Sequence, residues 1–237
     1  MSLILNIETS TSVCSAALTE GDKVVFEKVS FEGHAHAALL GVYVEEALGF
    51  VKENGLKLDA VAVSSGPGSY TGLRIGVSMA KGLCFGYGIP LIGIHSLDIM
   101  AYTAIRANNH EEGLYCSMMD ARRMEVYSAF YDADGNQVRE TSADIINADS
   151  YLTYLEKGKV FFFGDGSSKC KSVLTSPNAV FIDAINPLAS NMGALSQKAF
   201  DEKHFEDVAY FEPFYLKEFQ ATIAKNKVLS EALAKVK

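Results

Sequence analysis

Basic charge is scarce in this chain: 21 Lys and Arg stand against 29 Asp and Glu, for a net charge of −8. Neutralising nucleic-acid phosphates takes clustered cations, so this balance argues against a general nucleic-acid-binding surface. Arg122-Arg123 is the only adjacent pair of arginines, and a local basic spot there stays open. Cysteine is sparse too. Cys14, Cys84, Cys116 and Cys170 are scattered with no C-x-x-C pair, which points to buried, reduced thiols of a cytosolic protein. No stretch approaches the roughly 20 apolar residues of a membrane span. The start, Met-Ser-Leu-Ile-Leu-Asn-Ile-Glu, has no basic segment and no long apolar run, so no signal peptide and a cytoplasmic location are expected. What is present is an ordinary globular composition, 49% hydrophobic over 237 residues. That length buries a substantial core as one large domain or two small lobes.

Along the chain, residues 3–8 (LILNIE), 13–18 (VCSAAL) and the run KVVFEKVS read as three short strands. The polar turn Thr9-Ser10-Thr11-Ser12 and the turn Glu20-Gly21-Asp22 separate them, which predicts a β-meander. From His36 to Asn54 the pattern turns helical, with Leu39, Leu40, Tyr43, Val44, Ala47, Leu48 and Val51 on one face and Asn54-Gly55 as the stop. A strand is predicted at 59–65 and a helix from about Thr71 to Tyr87. Another strand follows at PLIGIHS, and a further helix runs from Leu97 to about Asn108.

A second unit repeats the logic. Strands at 114–119 and 124–131 flank Asp120-Ala121-Arg122-Arg123, and a third strand follows Asp134-Gly135-Asn136. Residues 160–163 (VFFF) lead into Gly164-Asp165-Gly166-Ser167, Asn191 to Phe200 looks helical, and Leu229 to Lys237 reads as a weak amphipathic helix. The expectation is two α/β lobes, 1–105 and 106–214, each with a mixed sheet and packed helices, and a tail, 215–237, that returns to the first lobe.

Paired acidic turns in a repeated strand layout are the arrangement of the sugar kinase, Hsp70 and actin class, where they offer amides and a carboxylate to ATP phosphates and magnesium. The candidates here are Glu8, Thr9 and Ser10 in the first turn, Asp120 in the second, and Gly164, Asp165 and Gly166 beyond. The first turn lacks the glycine that lets phosphate approach the backbone, so nucleotide binding is expected to be weak or lost and no cofactor is assigned. The loop Ser65-Gly66-Pro67-Gly68-Ser69-Tyr70-Thr71-Gly72 meets neither G-x-x-x-x-G-K-[ST] nor G-x-G-x-x-G and reads as a tight strand-to-helix turn with Ser69 or Thr71 as N-cap. His34 and His36, two apart, fall on opposite sides of a helix, where a metal pair needs a spacing of four. His95 and Ser96 are neighbours in a strand and point to opposite faces, and no G-x-S-x-G elbow exists. No catalytic or metal residue is assigned.

Four segments together carry a resemblance: ILNIETSTSVCSAAL (4–18), VAVSSGPGSYTGLRIGVSMAKGLCFGYGIPLIGIHSL (61–97), MDARRMEVYSAFY (119–131) and FGDGS (163–167). They resemble the TsaB (YeaZ) family, the bacterial subunit required for N6-threonylcarbamoyladenosine (t6A) in tRNA. The similarity spans the first two-thirds of the chain, and the G-P-G-S-Y-T-G-L-R run is its most specific part. Phe214-Tyr215-Leu216-Lys217 departs mildly from the family's Pro-x-Tyr-Leu-Arg ending. The resemblance implies an actin-like ATPase (ASKHA, RNase H-like) fold and a degenerate paralogue of the TsaD transferase. TsaD holds a metal through an H-x-x-x-H helix, and the comparable stretch here is Gly33-His34-Ala35-His36-Ala37. It also implies a non-catalytic partner that binds and activates TsaD together with the ATPase TsaE, that dimerises when isolated, and that meets tRNA only through the complex.

For the interface, the face Leu39, Leu40, Tyr43 and Ala47 and the small-residue ridge Gly72, Gly76 and Ala80 are expected to form a flat apolar groove, with Val42 and Phe50 outside the main stripe. The alternatives are an ATP-dependent phosphotransferase of the actin-like class and a glycoprotease-like metallopeptidase.

Overall fold

A computed structural model of the chain describes residues 1–33 and 36–217. The first sheet begins with an antiparallel meander of β1 (Leu3–Glu8), β2 (Cys14–Glu20) and β3 (Lys23–Ser30). Helix α1 (His36–Glu53) then crosses to β4 (Ala60–Gly66), which pairs parallel with β1. Helix α2 (Tyr70–Tyr87) leads to β5 (Leu91–His95), parallel to β4. The strand order is β3-β2-β1-β4-β5. The second sheet repeats it: β6 (Leu114–Asp120), β7 (Glu125–Tyr131) and β8 (Gln137–Ile145) form the meander, and β9 (Val160–Phe163) and β10 (Ala179–Phe181) add in parallel, in the order β10-β9-β6-β7-β8. Two mixed sheets with one topology are the actin-like arrangement read from the strand–turn pattern.

The central strand β1 is buried on both faces, and its two sets of side chains do different work. Leu3, Leu5 and Ile7 join Leu40, Val44 and Ala47 of α1 and Val77, Ala80 and Cys84 of α2 in one core. On the opposite face Ile4 packs with Ile99 and Met192, and next along that face come the polar Asn6 and Glu8. Helix α3 (Ser96–Ala107) places Leu97, Met100, Ala101 and Ala104 against Tyr115, Phe161 and Phe163 of the second sheet, while Ile99 belongs to the first. Helix α5 (Gly193–Asp201) packs on β1 and β5 from the same side. The other face of the second sheet is closed by Phe130, Phe162, Leu155 and Cys170.

Local signals set the element ends. Ser69 accepts a hydrogen bond from Gly72 N at 3.3 Å and caps α2, whose far end is Gly88 in the left-handed region. The short α4 (Leu152–Leu155) and β10 had no counterpart in the sequence reading, because segments of four and three residues show no periodicity. All four cysteines are buried and free, as their spacing indicated. No helix among the described residues is long and apolar enough to cross a membrane.

The segment after α5 runs back along the edge of the first sheet. Glu206 N donates to Leu91 O at 2.8 Å, Lys81 Nζ donates to the carbonyls of Ala209 and Phe211, and Phe214 N donates to Ser65 O at 2.7 Å. Of the tail beginning at residue 215, Tyr215 to Lys217 are described. The helix read at Leu229–Lys237 lies outside the described residues.

Helix α2 approaches the β1–β2 turn so closely that a Cβ at Gly72 would lie 2.1 Å from Thr9 O, whereas one at Gly82 on the same helix meets nothing within 4 Å. Gly72→Ala is therefore expected to lower the unfolding free energy by about 1–3 kcal/mol through overpacking. Gly82→Ala is expected to raise it by about 0.5–1 kcal/mol through helix propensity. Urea denaturation of the two variants side by side checks the contrast; equal shifts would show that the helix does not rest on the turn as described.

Candidate functional site

The first hairpin turn carries the residues from which a phosphate clasp would be built, and here they are bonded inward. Ser10 N donates to Glu8 Oε1 at 2.5 Å, Thr9 N to Ser64 Oγ at 3.4 Å, and Val13 N to Thr11 Oγ1 at 3.2 Å. The Thr9 hydroxyl donates to Gly72 O at 2.8 Å. The glycine-rich loop lies on this turn, main chain against main chain. Ser69 N donates to Ser10 O at 2.6 Å, and a Cβ at Gly68 would fall 2.4 Å from that same oxygen. Glycine is required at 68 and 72 by this close approach to the turn, the same property that elsewhere lets a backbone approach a phosphate. The loop is the tight strand-to-helix connection its residues indicated, with Ser69 as the N-cap, and it also lies on the turn as a plug.

The second turn is built differently. Asp120 N donates to Asp165 Oδ1 at 3.0 Å, while Asp120 Oδ1 accepts from Arg122 N at 2.9 Å and from the Lys169 ammonium. The Gly164–Ser167 turn packs on the end of β6: a Cβ at Gly164, whose φ is +93°, would meet Met118 O at 2.2 Å, and one at Gly166 would meet Met119 C at 2.8 Å. Arg122 and Arg123 both take left-handed φ values, 69° and 50°, and both are exposed. The fold thus gathers Glu8, Thr9 and Ser10 in one turn and Asp120, Gly164, Asp165 and Gly166 in the other. Each group is knit within its own lobe.

His36 is buried with Nε2 at 3.1 Å from Val13 O, and His34 lies outside the described residues. His95 ends β5, with Nδ1 3.4 Å from Gly66 O and its ring edge-on to Phe214, whereas Ser96 is buried at the start of α3. No group of three or more His, Cys, Asp or Glu with metal-site geometry occurs among the described residues.

The expected interface needs correction. Gly72, Gly76 and Ala80 do not form an open ridge: they face the chain's own interior, and a Cβ at Gly76 would lie 2.3 Å from Thr9 Oγ1. Leu40 and Ala47 are core residues, Leu39 and Tyr43 are half-buried, and Phe50 packs against Phe26. The physical reason is that four-residue spacing of small side chains admits any close neighbour, and here the neighbours are the first turn and β4. The surface of these helices lies elsewhere. Val42 is 46% exposed, Phe85 is 86% exposed, and Gly41, Gly49, Gly82 and Gly86 have open space above them.

Sequence reading also missed a cluster beside the plug. The Tyr70 and Tyr215 rings lie 5.0 Å apart, Arg74 Nε donates to Tyr215 Oη at 3.1 Å with its guanidinium 4.3 Å from the Tyr70 ring, and Lys217 pairs with Glu125 of the second lobe. Its components are 141 residues apart, and only the Tyr215-Leu216 echo of a family ending could have flagged it.

Comparison with known proteins places this geometry. The family model described as TsaD, tRNA N6-adenosine threonylcarbamoyltransferase, matches residues 30–236. The tRNA threonylcarbamoyladenosine biosynthesis protein TsaB of Haemophilus influenzae is 31% identical over 229 residues, covering 90% of this chain and 93% of its own. The protein of the same name from Bacillus subtilis is 30% identical over 222 residues with the same coverage. The solved structure of YeaZ from Pseudomonas aeruginosa superposes with a TM-score of 0.76 at 25% identity, over 91% of this chain and 100% of that one.

Burial pushes the Glu8 carboxyl up from 4.5 to about 7, against opposing hydrogen bonds from Ser10, Ser64 and Thr9. Its Oε2 has no hydrogen-bond partner among the described residues. A carboxyl whose folded pKa is raised binds its proton more tightly when folded, so its contribution is fully present below pH 4.5 and lost as pH rises through 7. The loss amounts to about 3 kcal/mol. Glu8→Gln is expected to be more stable than the native protein at pH 8 and to flatten the pH 4.5–7 slope. Chemical denaturation across that range checks it; an unchanged slope in Glu8→Gln would remove Glu8 as the source.

Proposed function

Because this chain belongs to the TsaB family, we propose that it serves tRNA t6A biosynthesis as a non-catalytic subunit that binds and activates a TsaD-type transferase, in company with a TsaE-type ATPase. The observation that carries this reading is the closed first turn. In an active enzyme of the actin-like class that turn meets nucleotide phosphates, and in this chain its amides bond to Glu8, Ser64 and Thr11 while the loop Gly66–Gly72 covers it. A fold kept with its phosphate turn plugged is suited to holding a partner of the same architecture rather than to turnover. The match to the TsaD model over most of the chain supports the same kinship. Contact with tRNA comes through the assembled complex, in keeping with the net charge of −8.

The partner surface in this reading is the outer side of α1 and α2, and the isolated subunit pairs with itself through the same face. Phe85 and Val42 supply apolar side chains there, and Gly41, Gly49, Gly82 and Gly86 let a second helix approach closely. Burying one large apolar side chain contributes about 1.5–3 kcal/mol, so Phe85→Glu is expected to weaken partner binding at least about tenfold. Its thermal midpoint should stay near that of the native chain, because Phe85 is already exposed. Affinity purification from cells followed by titration of the recovered partner is the measurement. Recovery of neither a TsaD-type nor a TsaE-type protein overturns the partner role. Undiminished binding by Phe85→Glu together with Val42→Arg moves the interface off these helices.

A further inference from the structure

On the side of the molecule away from the two turns, four elements line a half-open cavity of about 710 Å³. The β2–β3 turn, α3, the β7–β8 hairpin and α5 supply its walls, so both sheets contribute. That volume is in the range of small-molecule sites, which favour junctions between lobes and combine an apolar floor with a few convergent polar groups. The floor here is Ala101, Ile105 and Leu195. One wall is already neutralised: Arg106 pairs with Asp22 at 2.8 Å, and the Tyr102 hydroxyl donates to the same carboxylate at 2.9 Å.

The remaining carboxylates and Lys198 make no ion pair among the described residues. Asp98, in the first turn of α3, accepts the Tyr131 hydroxyl on Oδ1 at 2.6 Å, a bond that ties the two lobes together, and its Oδ2 makes no hydrogen bond among the described residues. Asp134 and Lys198 also line the cavity, and their side chains make no hydrogen bond or ion pair among the described residues. Burial raises the Asp98 carboxyl above the ordinary range, and the Tyr131 hydroxyl and His95 oppose that shift. A carboxylate held in one orientation by a tyrosine, partly desolvated and with one oxygen free, favours a positively charged hydrogen-bond donor.

We propose that this cavity binds a small organic ammonium compound, with its amino group seated on the free oxygen of Asp98. Two sources share that chemistry. A free amino acid would place its carboxylate toward Lys198, and a diamine would place its second ammonium toward Asp134. The inference stands independently of the partner role.

The test is isothermal titration of the full-length chain with L-serine and, separately, with putrescine. Saturable binding of at least one is expected. Asp98→Asn keeps an acceptor for Tyr131 but removes the charge, and is expected to weaken either probe at least about tenfold. Ala194→Tyr, at a half-buried position lining the cavity, fills the space without touching Asp98 and is expected to abolish binding. Lys198→Met weakens serine alone if the amino-acid source is right; Asp134→Asn weakens putrescine alone if the diamine is. Thermal melts confirm that each variant is folded. No heat from either probe up to about 10 mM, or binding unchanged in whichever of Asp98→Asn and Ala194→Tyr is folded, overturns the proposal.

Discussion

The glycine loop and the first hairpin turn hold each other through main-chain contact and the Thr9 hydroxyl, and much of the first lobe is referred to that contact. Ser69 N reaches Ser10 O, the Thr9 hydroxyl reaches Gly72 O, and no side chain fits between them at 68, 72 or 76. Because the loop becomes α2 within one residue, the contact also sets where α2 begins and which of its residues face β1 and β4. Val77, Ala80 and Cys84 enter the core as a consequence. The segment from Glu206 to Phe214 depends on the same arrangement, since Phe214 N donates to Ser65 O and the Phe214 carbonyl oxygen lies 2.8 Å from where a Cβ on Gly66 would stand. Backbone packing of this kind tolerates little adjustment, as interiors are close-packed and a methyl group has nowhere to go.

The second lobe solves the same problem with other residues. Gly164 and Gly166 lean on the end of β6 as Gly68 and Gly72 lean on the end of β1, and in both cases the strand before the loop runs parallel to the strand before the turn. The difference lies in what the turn exposes. The first is buried from Glu8 to Thr11, whereas the second presents Arg122 and Arg123 to solvent and neutralises Asp120 with Lys169. The repeated topology thus carries two unlike turns, one closed and one open, and fold likeness alone does not assign them a shared activity.

Between the sheets lies a layer of two helices, α3 and α5, in which polar groups are kept rather than excluded. Ser117 Oγ donates to Leu97 O, Ser15 Oγ accepts from Ala189 N, and Tyr131 donates to Asp98. Each bond satisfies a buried group and links segments distant in sequence, which favours one mutual placement of the lobes. Glu8, fully buried on the same side of β1, is an exception: its Oε2, like Asn6 Oδ1 and Ser96 Oγ, has no hydrogen-bond partner among the described residues, and burial holds its carboxyl above the usual range.

Much of the architecture follows from local order in the chain. Alternation and apolar runs mark the strands, the 3.6-residue period marks α1, α2 and α3, and Gly55 and Gly88 mark their ends, because each of these signals is written within one element. The short elements α4 and β10 left no such trace. The run GPGSYTG marked a family through its residues alone, but what its glycines face was settled by long-range packing. Periodicity shows that Gly72, Gly76 and Ala80 share one side of a helix, and it is silent on whether that side meets another protein or Thr9. The same limit applies to Arg74 with Tyr215 and to Asp98 with Tyr131, pairs separated by 141 and 33 residues. Element type and turn chemistry are properties of neighbours in sequence. Which face is buried, which carboxyl is desolvated and where a cavity opens depend on contacts between segments that only the folded chain brings together.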